Sequence, residues 1–133
     1  MLGVVADLAP LYRDAGIVVS PLYTGSGLKI KLIEALAAGK AVVGTSVTVQ
    51  GVEDLVSGAM VREDDPARFA AAVIQLLGRR GEREALGAAA LSCARAHFSA
   101  EACFADLVSA VRGGETTLLG ATSNLAPVEH NRA

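Results

Sequence analysis

The sequence predicts an α/β fold, with helices flanking a parallel sheet and a helical segment at the C-terminal end. Two patterns predict it: short β-branched runs alternate with longer alanine- and leucine-rich periodic segments, and the second half carries one helical period after another. The chain has 133 residues, 52% of them hydrophobic, and a net charge of -2. These values suit one domain with its own core and argue against disorder over most of the length.

The first elements predicted are the end of a strand at residues 1–5 and a short helix at 7–15 that Asp7 caps. A strand follows at 17–19, where the unbroken run Ile-Val-Val predicts burial on both faces. The proline- and glycine-containing segment 21–27 is then a loop.

The middle of the chain repeats the strand–helix alternation. A helix is predicted at 28–38, ended by Gly39, with Leu28, Leu32, Ala35 and Leu36 on its sheet-facing side. A buried strand at 41–43 and a loop at 45–52 follow, and a turn at 53–56 leads to a small strand at 59–61.

The remaining elements are helices. Asp65 caps a helix that begins at Pro66 and runs to residue 77, and a second helix occupies residues 82–97. Ser99 opens a last helix that reaches residue 111, although its capping box is incomplete. Residues 113–133 lose all periodicity and are rich in turn formers, so we expect a disordered tail.

Composition excludes several classes of protein. The net charge is slightly negative, whereas a general nucleic-acid binder carries an excess of positive charge. Proline and glycine interrupt the apolar stretch 17–28, so it does not form a transmembrane helix. The N-terminus has no basic start and carries Asp7, which argues against a secretory signal and favours a cytoplasmic location.

The cysteines predict no metal site. Cys93 and Cys103 are the only two, and their spacing matches no zinc motif. We expect both to be free thiols, mostly buried as small apolar residues.

The three lysines of the chain cluster beside a glycine loop. Lys29, Lys31 and Lys40 fall within twelve residues, and the segment TGSG at 24–27 precedes the helix predicted at 28–38. A glycine turn that feeds a helix exposes backbone N–H groups at the positive end of the helix dipole, which favours a bound anion. The alternative is a solvated polar face with Lys31 paired to Glu34.

The glycines and hydroxyls of this loop suit a phosphate. Gly25 and Gly27 let the backbone approach a ligand closely, and Thr24 and Ser26 add hydroxyl donors. The pattern fits neither the Walker motif nor the full dinucleotide fingerprint, so residue chemistry alone leaves both alternatives open.

Glu34 lies across the predicted helix from its sheet-packing face. A carboxylate near the carboxyl edge of the strands is suited to accept the two hydroxyls of a ribose, and the alternative is a surface glutamate. Thr45, Ser46, Gln50 and Gly51 form a second loop at the same edge, where open α/β sheets bind ligands. Ordinary loop chemistry is the alternative for each.

The run GSGLKIKLIEALAAGKAVVGT at 25–45 resembles the donor-binding, C-terminal half of GT-B glycosyltransferases of family 4 (group 1). Supporting matches are DLAPLY at 7–12, QGVE at 50–53, DDP at 64–66 and HFS at 97–99. The resemblance therefore covers the chain to about residue 111.

This resemblance implies a Rossmann-like sheet and the transfer of a sugar from a nucleotide diphosphate sugar to an acceptor, usually with retention of anomeric configuration. The family has no obligatory metal, so no cofactor is expected. Glu34 falls on the glutamate that contacts the ribose. The residues expected at the diphosphate are Thr24, Gly25, Ser26, Gly27, Leu28 and Lys29, with Thr45 and Ser46 in a second loop.

The sequence departs from the family at two points. Ser26 stands where the family has a first glutamate near the donor sugar, so no catalytic residue is assigned. The family's phosphate-gripping basic residues lie upstream of the covered region. We therefore expect residues 1–112 to be a partial donor domain, and residues 113–133 the tail. The alternatives are a non-catalytic interaction module, pairing into a homo-oligomer through an exposed sheet edge, and an inactive remnant.

Overall fold

The structure is a computed structural model that describes residues 5–113. Apart from Val5, which is not in a strand, and Gly113, which ends a helix, the predicted strand end at 1–5 and the predicted tail at 113–133 lie outside the described residues. Within residues 5–113, no helix combines the length and the apolar character needed to cross a membrane.

The described chain forms three short strands and five helices. In order they are α1 (Ala9–Asp14), β1 (Val18–Ser20), α2 (Ile30–Ala37), β2 (Val42–Gly44), β3 (Val61–Arg62), α3 (Pro66–Gly78), α4 (Arg80–His97) and α5 (Ala100–Gly113). The predicted α/β class and the helical C-terminal segment are confirmed.

The strands form one parallel sheet in the order β1-β2-β3. Val18 pairs with Val42, and Val43 pairs with Val61. Because the strands are parallel, all three end at the same edge of the sheet, and the loops that follow Ser20 and Gly44 begin side by side.

The central strand β2 anchors the core. Val42 and Val43 are almost fully buried, and because successive side chains of a strand point to opposite faces, both faces of β2 are covered. Val42 belongs to a cluster that α2 and α4 supply with the buried side chains of Leu32, Ala35, Leu36, Ala90 and Ala94.

Side-chain caps fix the starts of α3 and α5, whereas the predicted cap at Asp7 is wrong. Because α1 begins at Ala9, Leu8 holds the N-cap position without a side-chain bond, and Asp7, one residue earlier, accepts only the Ala9 N–H at 2.9 Å. Asp65 Oδ1 accepts the Arg68 N–H at 2.9 Å with Pro66 in the first turn of α3. Ser99 Oγ accepts the Ala102 N–H at 3.1 Å, so the incomplete capping box still supplies one bond.

Three predictions of burial are wrong. Val19 is 48% exposed because, among the described strands, β1 lies at the border of the sheet with β2 as its one neighbour. Leu28 is 53% exposed because α2 begins only at Ile30, which leaves Leu28 in the loop. Cys103 is exposed because α5 packs mainly against α4 and leaves much of its own surface open, including Phe104 and Leu107. Cys93 is half-buried, and both thiols are free as expected.

Two glycines allow α4 to approach the end of α2. Gly39 terminates α2 with φ of +64°, in the left-handed region that favours glycine. A Cβ at Gly87 of α4 would lie 2.4 Å from the Gly39 carbonyl oxygen. The close packing of the two helices therefore depends on the missing side chain of Gly87.

We predict that Gly87→Ala lowers the free energy of unfolding by about 1–3 kcal/mol, because the new methyl group forces the two backbones apart. Gly81→Ala is the matched control in the same helix, since a Cβ there meets no atom within 4 Å. This control should be neutral or stabilising by up to about 1 kcal/mol. Urea unfolding of both variants measures the difference, and equal stabilities would contradict the packing described.

Candidate functional site

Two buried threonines join the strand ends at the carboxyl edge of the sheet. Thr45 and Thr48 have no exposed surface. The Thr45 hydroxyl donates to the Leu22 carbonyl, and the Thr48 hydroxyl donates to the Ser20 carbonyl at 2.7 Å. Thr48 Oγ1 also accepts the Thr45 N–H at 3.3 Å. These bonds confirm that the two predicted loops meet at one edge.

The glycine loop leaves this edge and is exposed over residues 21–28. Gly25 and Gly27 have φ of +130° and +74°, which L side chains rarely adopt. Lys29 Nζ folds back over the loop and donates to the carbonyls of Ser26 at 3.0 Å and Gly27 at 2.7 Å. The ammonium group therefore lies against the loop.

The N-terminus of α2 carries no side-chain cap. Lys29 occupies the N-cap position without a capping hydrogen bond, and the first turn contains no acidic residue. Lys31 in that turn is exposed. The positive end of the helix dipole and two lysines are thus concentrated at one exposed helix start.

Glu34 contacts α1. Tyr12 Oη donates to Glu34 Oε2 at 3.2 Å in a partly buried contact. Burial and, after it, the Glu34 carboxylate raise the pKa of Tyr12. The predicted alternative, an ion pair between Lys31 and Glu34, is not among the ion pairs of residues 5–113.

Two cavities flank this contact. Glu34 and Tyr12 line one of about 580 Å³ together with Arg13 and Lys40. Tyr12 and Lys31 line the other, of about 350 Å³. Both volumes lie in the range of small-molecule sites, about 300–1,000 Å³.

Lys40 connects the end of α2 to the end of α1. Its Nζ donates to the carbonyls of Arg13 at 2.8 Å and Ala15 at 3.1 Å. These carbonyls lie at the C-terminal end of α1, where a cation is favourable. Two of the three clustered lysines, Lys29 and Lys40, therefore bind backbone carbonyls.

The second loop has internal partners. The side chain of Thr45 is buried, as described above. Ser46 is exposed, and its N–H and Oγ donate to the two carboxylate oxygens of Asp64 at 2.7 and 2.5 Å. These two bonds, with a smaller contribution from Arg62, lower the pKa of Asp64. Any ligand that used Ser46 would compete with Asp64.

The sequence analysis did not predict the contact of Asp64 with Ser46 or that of Tyr12 with Glu34. The acidic loop after β3 could have indicated the first, because it starts at the same sheet edge as Ser46. No hydrogen bond of the described residues joins Gln50 or Gly51 to the glycine loop; Gly51 N–H instead donates to Glu53 at 2.9 Å.

A further cavity of about 340 Å³ is lined by Glu53, Asp54, Ser57 and Arg62, among others. Hydrogen bonds from its own N–H and from Gly51 lower the pKa of Glu53. In residues 5–113, no three His, Cys, Asp or Glu side chains come close enough together to form a metal site.

Comparison with known proteins identifies one family. A family model described as "Glycosyl transferases group 1" matches residues 1–79, which is 79 of the 133 residues. The match includes the glycine loop, Glu34, the second loop and Asp64. Searches of curated proteins and of solved structures gave no match.

We predict that Ser46→Ala raises the pKa of Asp64 toward its ordinary value of about 3.9. Because the folded pKa is lowered, the stabilisation is present above the unfolded pKa and is lost as the pH falls through the folded pKa. The wild type should therefore be more stable than the variant near pH 6, and the difference should shrink below about pH 4.

Carboxyl NMR titration and unfolding at several pH values measure both effects. Ser57→Ala, which changes an exposed serine of the neighbouring loop, is the control and should leave the titration of Asp64 unchanged. An Asp64 titration that is the same in the wild type and in Ser46→Ala would contradict the assigned contact.

Proposed function

The chain belongs to the group 1 glycosyltransferases, and from that premise we propose that it binds the nucleotide diphosphate sugar donor of a retaining sugar transfer. The glycine loop at 24–29 holds the diphosphate, and Glu34 binds the ribose. Sugar transfer in general follows from the family, and the donor site is our assignment.

The start of α2 is the observation that carries this proposal. A diphosphate needs several N–H donors converging on an exposed point, and an uncapped helix N-terminus supplies them. Gly25 and Gly27 leave room for phosphate oxygens to approach the backbone. No acidic side chain in the first turn competes for these donors.

Two lysines supply positive charge to balance the negative charge of a diphosphate. Lys29 and Lys31 oppose the helix dipole when the site is empty, and a bound anion reverses the sign of that interaction. Lys29 already lies against the loop carbonyls, so its ammonium group needs only a small movement to reach a phosphate.

This arrangement suits the chemistry of sugar transfer. The reaction breaks the bond between the anomeric carbon and the diphosphate oxygen, and negative charge develops on the departing diphosphate. Fixed N–H donors and ammonium groups at that oxygen stabilise the transition state more than the ground state. In this proposal, the residues at 24–29 act on the leaving group.

Glu34 supplies the acceptors for a ribose. An ionised carboxylate has about four acceptor positions, and the two neighbouring hydroxyls of a ribose need two of them. Glu34 is half-buried and lines a cavity large enough for a nucleoside. Ser26 holds the position of the family's first glutamate, so we assign no carboxylate to the donor sugar.

We predict that a nucleoside diphosphate at about ten times its Kd stabilises the chain by about 1.4 kcal/mol. The melting temperature should then rise by several degrees. Glu34→Ala should abolish the rise because the ribose loses its acceptors. Thermal unfolding with millimolar UDP, GDP or ADP measures the shift.

Glu101→Gln is the control for this experiment, because Glu101 is an exposed acid on α5. It should keep the full shift of the wild type. No shift with any of the three nucleotides, or an undiminished shift in Glu34→Ala, would contradict the proposed donor site.

Self-association is a second candidate function, and the border strand β1 favours it. Val19 on β1 is 48% exposed, and β1 pairs with one strand within the described sheet. A border strand with an exposed apolar side chain is a template for pairing with a second copy.

If β1 pairs with a second copy, light scattering should show a mass that rises with concentration. Val19→Lys should then return the chain to a monomer, because a lysine on a border strand opposes pairing. Val111→Lys on α5, where Val111 is 74% exposed, is the control. A monomeric wild type at every concentration would contradict this candidate.

A further inference from the structure

We infer that Tyr12 is a positioning residue that orients Glu34 toward the ribose, so that Tyr12 helps to set the preference of the site for ribose over 2′-deoxyribose. This inference rests on the proposed function. It adds a residue of α1 to a site otherwise assigned to α2 and the loop before it.

The contact between the two side chains is specific in its geometry. Tyr12 Oη donates to Oε2 of Glu34 at 3.2 Å, across 22 residues of sequence. One carboxylate oxygen is thereby held by the phenol, while Oε1 and the remaining lone pair of Oε2 stay available as acceptors. Two hydroxyls of a ribose can be accepted without displacing Tyr12.

Tyr12 is itself held in place from both sides. Its ring packs against the core cluster that contains Leu32 and Leu36 of α2. The two carbonyl contacts of Lys40 fix the C-terminal end of α1 against the end of α2, and Asp7 fixes the N-terminal end. These contacts therefore fix the position of the phenol oxygen relative to Glu34.

Fixing the carboxylate matters because a glutamate side chain has three rotatable bonds and otherwise samples many orientations. Two hydrogen bonds to a diol need both oxygens at set positions, and the freedom lost on binding weakens affinity. A carboxylate already held by Tyr12 loses less freedom. The advantage applies only to a ligand that offers both hydroxyls.

A positioning residue and a residue that only supports the fold differ in which nucleotides lose affinity when the residue is removed. If Tyr12 only stabilises α1, its removal weakens every nucleotide equally. If Tyr12 orients Glu34, its removal weakens the ribonucleotide selectively, since a 2′-deoxyribonucleotide never makes the complete pair of bonds. The ratio of the two affinities is therefore the quantity to measure.

The experiment is calorimetric titration of the full chain with UDP, GDP and ADP, each compared with its 2′-deoxy counterpart. We expect the wild type to bind the best ribonucleotide about tenfold more tightly than its deoxy form, as for one charge-assisted hydrogen bond. In Tyr12→Phe the ratio should fall to about threefold or less. The Kd of the deoxy form should change less than twofold.

Two further variants sharpen the result. Tyr23→Phe removes the other phenol of the chain, on a side chain that is 57% exposed and directly precedes the proposed diphosphate segment 24–29. Any effect on the phosphates would be equal for both forms of the nucleotide, so the ratio should stay unchanged. Lys40→Met releases the end of α1 and also changes one wall of the cavity that Glu34 lines. It should lower the ratio while the Kd of the deoxy form changes less than twofold, so it carries the test if Tyr12→Phe does not fold.

An unchanged ratio in Tyr12→Phe, or an equal loss of affinity for both forms of the nucleotide, would overturn the inference while the donor site stands. Should Tyr12→Phe fail to fold, an unchanged ratio in Lys40→Met overturns it in the same way. A wild type that binds none of the six nucleotides would instead overturn the proposed function, and this inference with it.

Discussion

The hydrogen bonds of two buried threonines hold the candidate site together. Thr45 and Thr48 have no contact with solvent, so their hydroxyls need partners within the protein, and they find them at the carbonyls of Leu22 and Ser20. These bonds tie the end of β2 to the end of β1. Because the glycine loop begins at that junction, its position depends on the threonines, although it is exposed over most of its length.

The helix α2 depends on a second set of constraints, at its far end. Gly87 of α4 lies against the carbonyl of Gly39, and Lys40 binds the last carbonyls of α1. Both contacts fix the C-terminal end of α2. They therefore set the direction of the helix axis while the N-terminus stays open to solvent. The family match ends at residue 79, immediately before α4 begins. The helix that buttresses α2 thus lies outside the matched range.

The sequence predicted correctly those elements that depend on a single residue or on a short run of residues. The cap at Asp65, the stop at Gly39 and the buried β2 strand follow from single residues and short patterns. The exposure of Val19 could not be predicted, because it depends on which strands lie beside β1. That of Leu28 could not be predicted either, because it depends on where α2 begins. The lysine cluster indicated an anion site, yet Lys40 binds carbonyls of α1. The Tyr12–Glu34 contact joins residues 22 positions apart, and no periodic pattern encodes it.

In the proposed donor site, the start of α2 binds the diphosphate of a nucleotide. The most direct measurement follows the backbone amide NMR signals of the chain while UDP, GDP or ADP is added to millimolar concentration. We expect the largest shifts at Gly25, Ser26, Gly27, Leu28 and Lys29, because in the proposed site their N–H groups face the phosphates. Shifts concentrated around Glu53 and Arg62, or no shifts with any of the three nucleotides, would contradict it.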